Sequence, residues 1–298
     1  MAYVSPIAVS AHLHNIHQQQ YADDTQLCIS LSPSDFMPDL DNLIHCIDSL
    51  HVWFCANGIA LNADKSEAIL LGTRQQAHSY SSLATVNVAS SQIPLAGHTK
   101  ILGVTLDKNL SMNNYVNAVC KSVHIRALHH IRSSILEDMA KMVVCALVGS
   151  VVDYSVLFEA TQKNLQTLKA QNLLACVTTC SHQSCSPHTL LQQLHWLPIK
   201  DSIDFKIANI TFHTLHFSQP AYLLSALHAC HSTRSLRLSN TNLLSAPFVL
   251  TSFGACSFSI AAPKIWNSLP PSLRTCTSLD TFPSHLKTHY CQQAFQST

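Results

Sequence analysis

Asp23 and Asp24 are adjacent, and of all residues in this chain their type and spacing best suit chemistry. Transfer of a nucleotidyl group uses two divalent metal ions about 4 Å apart, one activating the attacking hydroxyl and one holding the triphosphate, with carboxylates anchoring both. Neighbouring aspartates on a tight turn would present that charge at one edge of a sheet. An acidic pair is also what an ordinary solvated turn contains, so its meaning depends on its surroundings.

Cys176, Cys180, His182, Cys185 and His188 form the densest thiol and imidazole cluster. Zinc accepts such ligands, but the pair of Cys-x-x-Cys knuckles is missing, and a helix end with buried thiols is the competing reading. No Gly-x-Ser-x-Gly elbow is present, and 19 histidines supply chance partners for any nucleophile, so hydrolase readings carry little weight. No glycine-rich phosphate loop occurs either.

Ile16 to Gln20 and Thr25 to Leu31 read as strands, which puts both aspartates on a hairpin turn. Ser34 is a cap for a following helix with apolar residues Phe36, Leu40, Leu43, Ile44, Ile47, Leu50 and Phe54 at helical spacing, ending at Gly58. Ile59 to Leu61 and Glu67 to Leu71 read as strands around an Asn62 to Lys65 turn, and Lys100 to Leu106 as another. Beyond residue 110 the pattern turns helical, with one stripe at Val116, Val119, Val123, Ala127 and Ile131 and another at Leu165, Leu168 and Leu174. Pro187, Pro198 and Pro220 punctuate the next segments. Residues 230 to 255 read as a loop, before helices over Ser257 to Trp266 and Ser278 to Phe295. The expected fold class is α+β.

Tyr21-Ala22-Asp23-Asp24-Thr25-Gln26-Leu27 resembles the catalytic hairpin of LINE-type, jockey-like (non-LTR) retrotransposon reverse transcriptases. Further segments follow in family order. Asn57 to Ala68 is similar to the next palm segment, in which Lys65 would lie near the incoming triphosphate, beside Tyr21 on the nucleotide side. His98 to Asp107 is similar to the strand before the thumb that holds the primer end, with Leu102 and Gly103 central. Val152-Asp153-Tyr154, Leu165 to Asn172, His195 to Ile199 and Ile203 to Lys206 resemble thumb and post-thumb segments, and Ala261 to Pro270 with Leu273-Arg274 the far C-terminal signature.

The resemblance implies a partial palm over residues 1–108, a helical thumb and post-thumb region over 109–230, and a C-terminal region with a loop-rich start over 231–298. It implies an RNA-directed DNA polymerase that uses Mg²⁺ or Mn²⁺ at Asp23 and Asp24, with dNTP, RNA template and DNA primer as partners. Lys121, Arg126 and Arg132, within the basic row Lys100, Lys108, Lys121, Arg126, Arg132 and Lys141, would touch the template duplex, although a solvated helix face contains the same residues. The family anchors its metals with a third aspartate well upstream, and none of the 20 residues before Tyr21 is acidic. The expectation is therefore a C-terminal fragment without fingers or endonuclease and without useful activity as an isolated chain. The alternative is a non-catalytic retroelement-derived protein that binds nucleic acid or is a remnant.

Composition constrains these readings. The 298 residues include 47% hydrophobic but only 11% charged side chains, and the net charge of +1 is a weak electrostatic case for nucleic acid. Residues 1–73 carry eight acidic groups (Asp23, Asp24, Asp35, Asp39, Asp41, Asp48, Asp64, Glu67) against Lys65, whereas 231–298 carry Arg234, Arg237, Lys264, Arg274 and Lys287 against Asp280. Any nucleic acid would be held by the later part. Twelve cysteines without a leader read as reduced thiols of an intracellular protein, nuclear or cytoplasmic, and the longest apolar run, Met142 to Val152, is too short to span a membrane. Trp53 and Phe54 are expected to pack on the palm; Trp196 and Trp266 suit packing or base stacking.

Overall fold

In the computed structural model, the described residues are 5–22, 24–32, 36–72, 75, 79–80, 83–88, 91–110, 114–115, 117–118, 125–151, 165–181, 185–230, 242–249, 252–255 and 257–296. They form helices and small antiparallel strand pairs, an α+β protein, in two compact units, Met1–Ser111 and Met112–Thr298.

The first unit opens with α1 (Ser5–Leu13), a helix not read from the sequence, then the hairpin β1 (His17–Tyr21) and β2 (Asp24–Cys28), and α2 (Phe36–Ala56). The stripe expected on α2 is the buried one, with Leu40, Ile47 and Leu50 joined by Cys46. Ile7, Ala11 and Ile16 meet Cys46 and Leu50, and Leu27, Ile29, Leu43 and Phe54 close the cluster. The helix ends where glycine requires it. Gly58 lies at φ +72, its N–H donates to the Cys55 carbonyl and the Ile59 N–H to Phe54, the Schellman pattern. The expected cap, Ser34, lies outside the described residues.

Two expectations for this unit need correction. Ile59 to Leu61 and Glu67 to Leu71 are not strands: a 3-10 turn (Ala63–Lys65) follows Asn62, and only Ala68 bridges, in parallel, to Leu95. The Asn62 side chain accepts from the Asp64 N–H, and this local bond favours a turn over extended pairing. Lys100 to Leu106 is not one strand but a hairpin, β5 (His98–Ile101) and β6 (Val104–Asp107), turning at Leu102 and Gly103. Both turn residues have positive φ, +47 and +87, the I′ geometry that follows the strand twist. Before it, β3 (Thr85–Val88) pairs with β4 (Ser91–Pro94), burying Val86 and Ile93; this hairpin was not anticipated.

The second unit contains α3 (Ile125–Ile131), α4 (Glu137–Val151), α5 (Leu165–Thr179), α6 (Pro187–Gln193), α7 (Ile199–Phe217), α8 (Ala221–Leu224), α9 (Ser252–Ala255), α10 (Phe258–Ser268), α11 (Pro271–Arg274) and α12 (Phe282–Gln296). The three punctuating prolines stand at helix starts, Pro187 as first residue of α6 and Pro198 and Pro220 as caps of α7 and α8. Of the first expected stripe, Val116, Val119 and Val123 lie outside the described residues. Leu128, Val144 and Leu174 join α3, α4 and α5. The main core joins α7, α10 and α12 and takes residues from both sides of position 230, from Ile207 and Phe212 to Trp266, Phe282 and Leu286. Phe212 stacks on Phe282 with centroids 3.8 Å apart. No described helix is long and apolar enough to cross a membrane.

Candidate functional site

The β1–β2 hairpin holds Tyr21 directly opposite Asp24, so Asp24 is the first strand residue rather than part of the turn. Ala22 takes φ +55, which for a residue with a Cβ costs roughly 1–2 kcal/mol, and the Gln20 amide donates to its carbonyl at 3.1 Å. Gln18 donates to Gln20 at 3.3 Å, a short ladder of side chains along the strand. Tyr21 is 66% exposed and Asp24 is exposed. Neither side chain is needed by the core, and an exposed carboxylate at a strand end can give oxygen ligands to a hard cation arriving from solvent. Asp23 lies outside the described residues.

Lys65, exposed, closes the 3-10 turn, with its N–H on the Asn62 carbonyl. Two residues on, the Thr99 hydroxyl donates to the Glu67 carboxylate, and the Ala96 N–H donates to the Ala68 carbonyl at 2.7 Å. The Lys65 turn is thereby tied to the β5–β6 hairpin, whose exposed tip is Leu102 and Gly103. Sequence order alone gave no sign of this link between two expected site regions.

The basic row divides. Lys100 and Lys108 are exposed. Arg132 donates from Nε to the Thr178 carbonyl at 2.8 Å and from Nη1 to the Ile135 carbonyl at 2.9 Å. It thus serves the C-terminal end of α5, where carbonyls lack helical partners, and a cation there also suits the helix dipole. Lys141 pairs with Glu137 at 2.9 Å and lies 3.8 Å from Asp138 on α4. Lys121 and the Arg126 side chain lie outside the described residues. Of the C-terminal cations, Arg274 is 7% exposed and donates to the Leu269 carbonyl, Lys264 and Lys287 are exposed, and Arg234 and Arg237 lie outside the described residues.

Of the thiol cluster only Cys176 packs, half-buried, whereas Cys180 and Cys185 are exposed, so the expected group of buried thiols is not formed. Cys176 lies against Ala175, Leu190, Leu191 and Leu194, and its thiol is pushed up by burial and by nearby Cys185, which disfavours the thiolate a metal requires. His188 meets the Ala294 carbonyl at 3.1 Å and stands edge-on to Phe295. Among the described residues no three His, Cys, Asp or Glu side chains converge as a metal group; His182 lies outside them.

The C-terminal signature also explains itself by packing. Trp266 is 2% exposed, and its indole N–H donates to the Asn242 carbonyl at 2.7 Å. The Asn267 amide exchanges two bonds with the Leu244 backbone, at 2.9 and 2.7 Å. Trp196 is packed between two clusters with Leu174 and Leu191, and Trp53 stands edge-on to Phe54, 5.2 Å between centroids. Val152-Asp153-Tyr154 lies outside the described residues. A third group was missed altogether: Asp201 and Asp204 on α7, the latter pushed up to about 6 by burial, with Lys200 opposing. Its only trace in the sequence is a pair of acids one turn apart inside a largely apolar helix.

Comparison of the chain with protein-family models, curated proteins and solved structures finds no match.

Proposed function

We propose that this chain is the end of the palm, the thumb and the post-thumb region of a LINE-type retrotransposon reverse transcriptase. The observation that carries the reading is the β1–β2 hairpin, where Tyr21 and Asp24 are paired and exposed although nothing in the core requires them. Asp23 and Asp24 are the metal-anchoring pair for Mg²⁺ or Mn²⁺, Lys65 and Tyr21 serve the triphosphate, and Leu102 and Gly103 meet the primer end. A turn tip is a fitting place for the last role, because a two-residue turn brings backbone within reach of a ligand.

Two carboxylates are two of the three groups by which the family anchors its metals, and phosphoryl transfer depends mainly on that positioning. Purified chain with a primed RNA template, dNTPs and Mn²⁺ is therefore expected to extend no primer. Extension that disappears in Asp24→Asn would overturn the claim of incompetence and strengthen the family reading. RNA binding lost in an Asp24→Asn variant, with no metal dependence, would count against the metal role.

The second reading, a nucleic-acid-binding module without catalysis, receives little support from the basic row. The Arg132 guanidinium serves backbone carbonyls, and Lys141 is paired.

A further inference from the structure

Among the described residues β1 and β2 pair only with each other, which leaves an outer edge of β1 without a strand beside it. Tyr21 and Asp24 flank a two-residue turn, so they can be a ladder pair only by exchanging both main-chain bonds. Alternation from that pair fixes the rest of the strand. Gln19 bonds to Gln26 and His17 to Cys28, while Gln18 and Gln20 turn their N–H and C=O groups outward. Those outward groups make no hydrogen bond among the described residues. Strand edges are commonly guarded by charge or proline, as where β4 ends in Pro94 and β5 carries Lys100. β1, His17-Gln18-Gln19-Gln20-Tyr21, has no lysine, acid, proline or bulge.

The strand also matches itself. A twofold rotation about Gln19 sets Gln18 against the partner's Gln20, and Gln20 against the partner's Gln18. These are the residues whose main-chain groups point outward, so each such pair exchanges both of its N–H···O bonds. Their half-buried side chains share a face, where Gln18 already donates to Gln20 at 3.3 Å, and the opposing strand continues that row of amides. We propose that the outer edge of β1 is a dimerisation edge, on which a second copy of this chain lays its own β1 antiparallel with Gln19 on the twofold axis. A foreign strand could satisfy the same main-chain groups, but β1 itself brings glutamine opposite glutamine on both sides of the axis. Such an edge contact buries little surface, so the dimer exchanges with monomer. Asp24 lies on β2, away from the joined edge, and the inference does not rest on the polymerase reading.

The test is sedimentation velocity of the full chain over a wide concentration range, in reducing buffer so that no disulfides contribute. A monomer and dimer in equilibrium are expected. Gln18→Lys with Gln20→Lys sets like charges opposite each other across the axis and should weaken the dimer at least about tenfold. Gln18→Lys with Gln20→Glu sets opposite charges there and should restore it, which a parallel, in-register pairing would not do. Gln20→Pro removes an N–H that β2 does not use and should also weaken the dimer; circular dichroism checks that each variant keeps its fold. A chain that stays monomeric at every concentration overturns the proposal. So does a dimer that survives the double lysine or the proline variant, which would place the contact on another surface. Loss of the dimer in both charged variants overturns it as well, and so do oligomers that grow beyond two, because a closed twofold contact cannot extend.

Discussion

The β1–β2 hairpin and the α10 to α11 segment both carry runs that resemble one retroelement family, but the structure uses the two runs in opposite ways. In the second, Trp266 fills the core, Asn267 holds the Leu244 backbone and Arg274 reaches the Leu269 carbonyl. Every polar atom named there has a structural partner. In the hairpin, Tyr21 and Asp24 project into solvent beside an Ala22 held at positive φ. Packing accounts for the α10–α11 run and leaves the hairpin run without a structural reason, which is why the proposed function rests on the hairpin. The same division runs through the basic residues, since Arg132 stands with the packed group and Lys65 with the exposed one.

The largest effect expected from breaking this comparison belongs to the core. Trp266→Ala should lower the stability of the helical unit by roughly 3–5 kcal/mol, read by urea unfolding, whereas Tyr21→Ala should stay within about 0.5 kcal/mol. Similar losses from both would mean that the hairpin motif is structural too. Next in size, Arg132→Ala should cost about 1–3 kcal/mol by leaving the Thr178 and Ile135 carbonyls without their charged donor. The salt dependence of any RNA binding should not change with it; a slope smaller by about one would return Arg132 to the phosphate contacts.

A smaller effect is expected from pH. Asp204 is pushed up to about 6 from 3.8, so the folded helical unit binds more protons than the unfolded chain between those values. Its contribution is present in full below the lower value and is lost as pH rises through about 6, and the partly exposed position of the carboxyl keeps it modest. Asp204→Asn should flatten that slope in thermal melts from pH 4 to pH 7, with the melts recorded in chelator. The smallest change is expected at the β5–β6 tip. Leu102→Asn places the residue that tolerates φ +47 in the I′ turn and should stabilise the first unit by about 0.5–1 kcal/mol. A loss there would mean that the exposed leucine packs on something.

Reading the sequence succeeded where a local rule has one outcome. The apolar stripe of α2 and its end at Gly58 follow from period and backbone freedom, and the helices near Ser257 and Ser278 from period alone. It failed where two local rules compete. Lys100 to Leu106 alternates well enough for a strand, but Leu102-Gly103 lacks the Asn-Gly form that marks a I′ turn. Asn62 offers a side-chain acceptor that turns residues 63–65 away from strand pairing, and β3–β4 has too few apolar residues to stand out. At the candidate site, the hairpin was legible because strand, turn and strand are contiguous. The tie from Glu67 and Ala68 to the β5–β6 hairpin was not, because it joins residues about thirty positions apart through side-chain and single backbone bonds.

By itself the sequence determined the class of the fold, the helices α2, α5, α10 and α12, the acidic hairpin and the order of the motifs along the chain, but not α1 or α7. These depend on periodicity and on neighbours in the chain, whose interactions hardly depend on the rest of the molecule. Only the tertiary structure decided which cations are occupied, which tryptophans are core and which acids are partly buried. Arg132 meets Thr178, Trp266 meets Asn242 and Tyr290 comes up against α7 through contacts between distant segments. Whether a polar group costs free energy or stands ready for a ligand is set by burial and by partners that no local pattern contains.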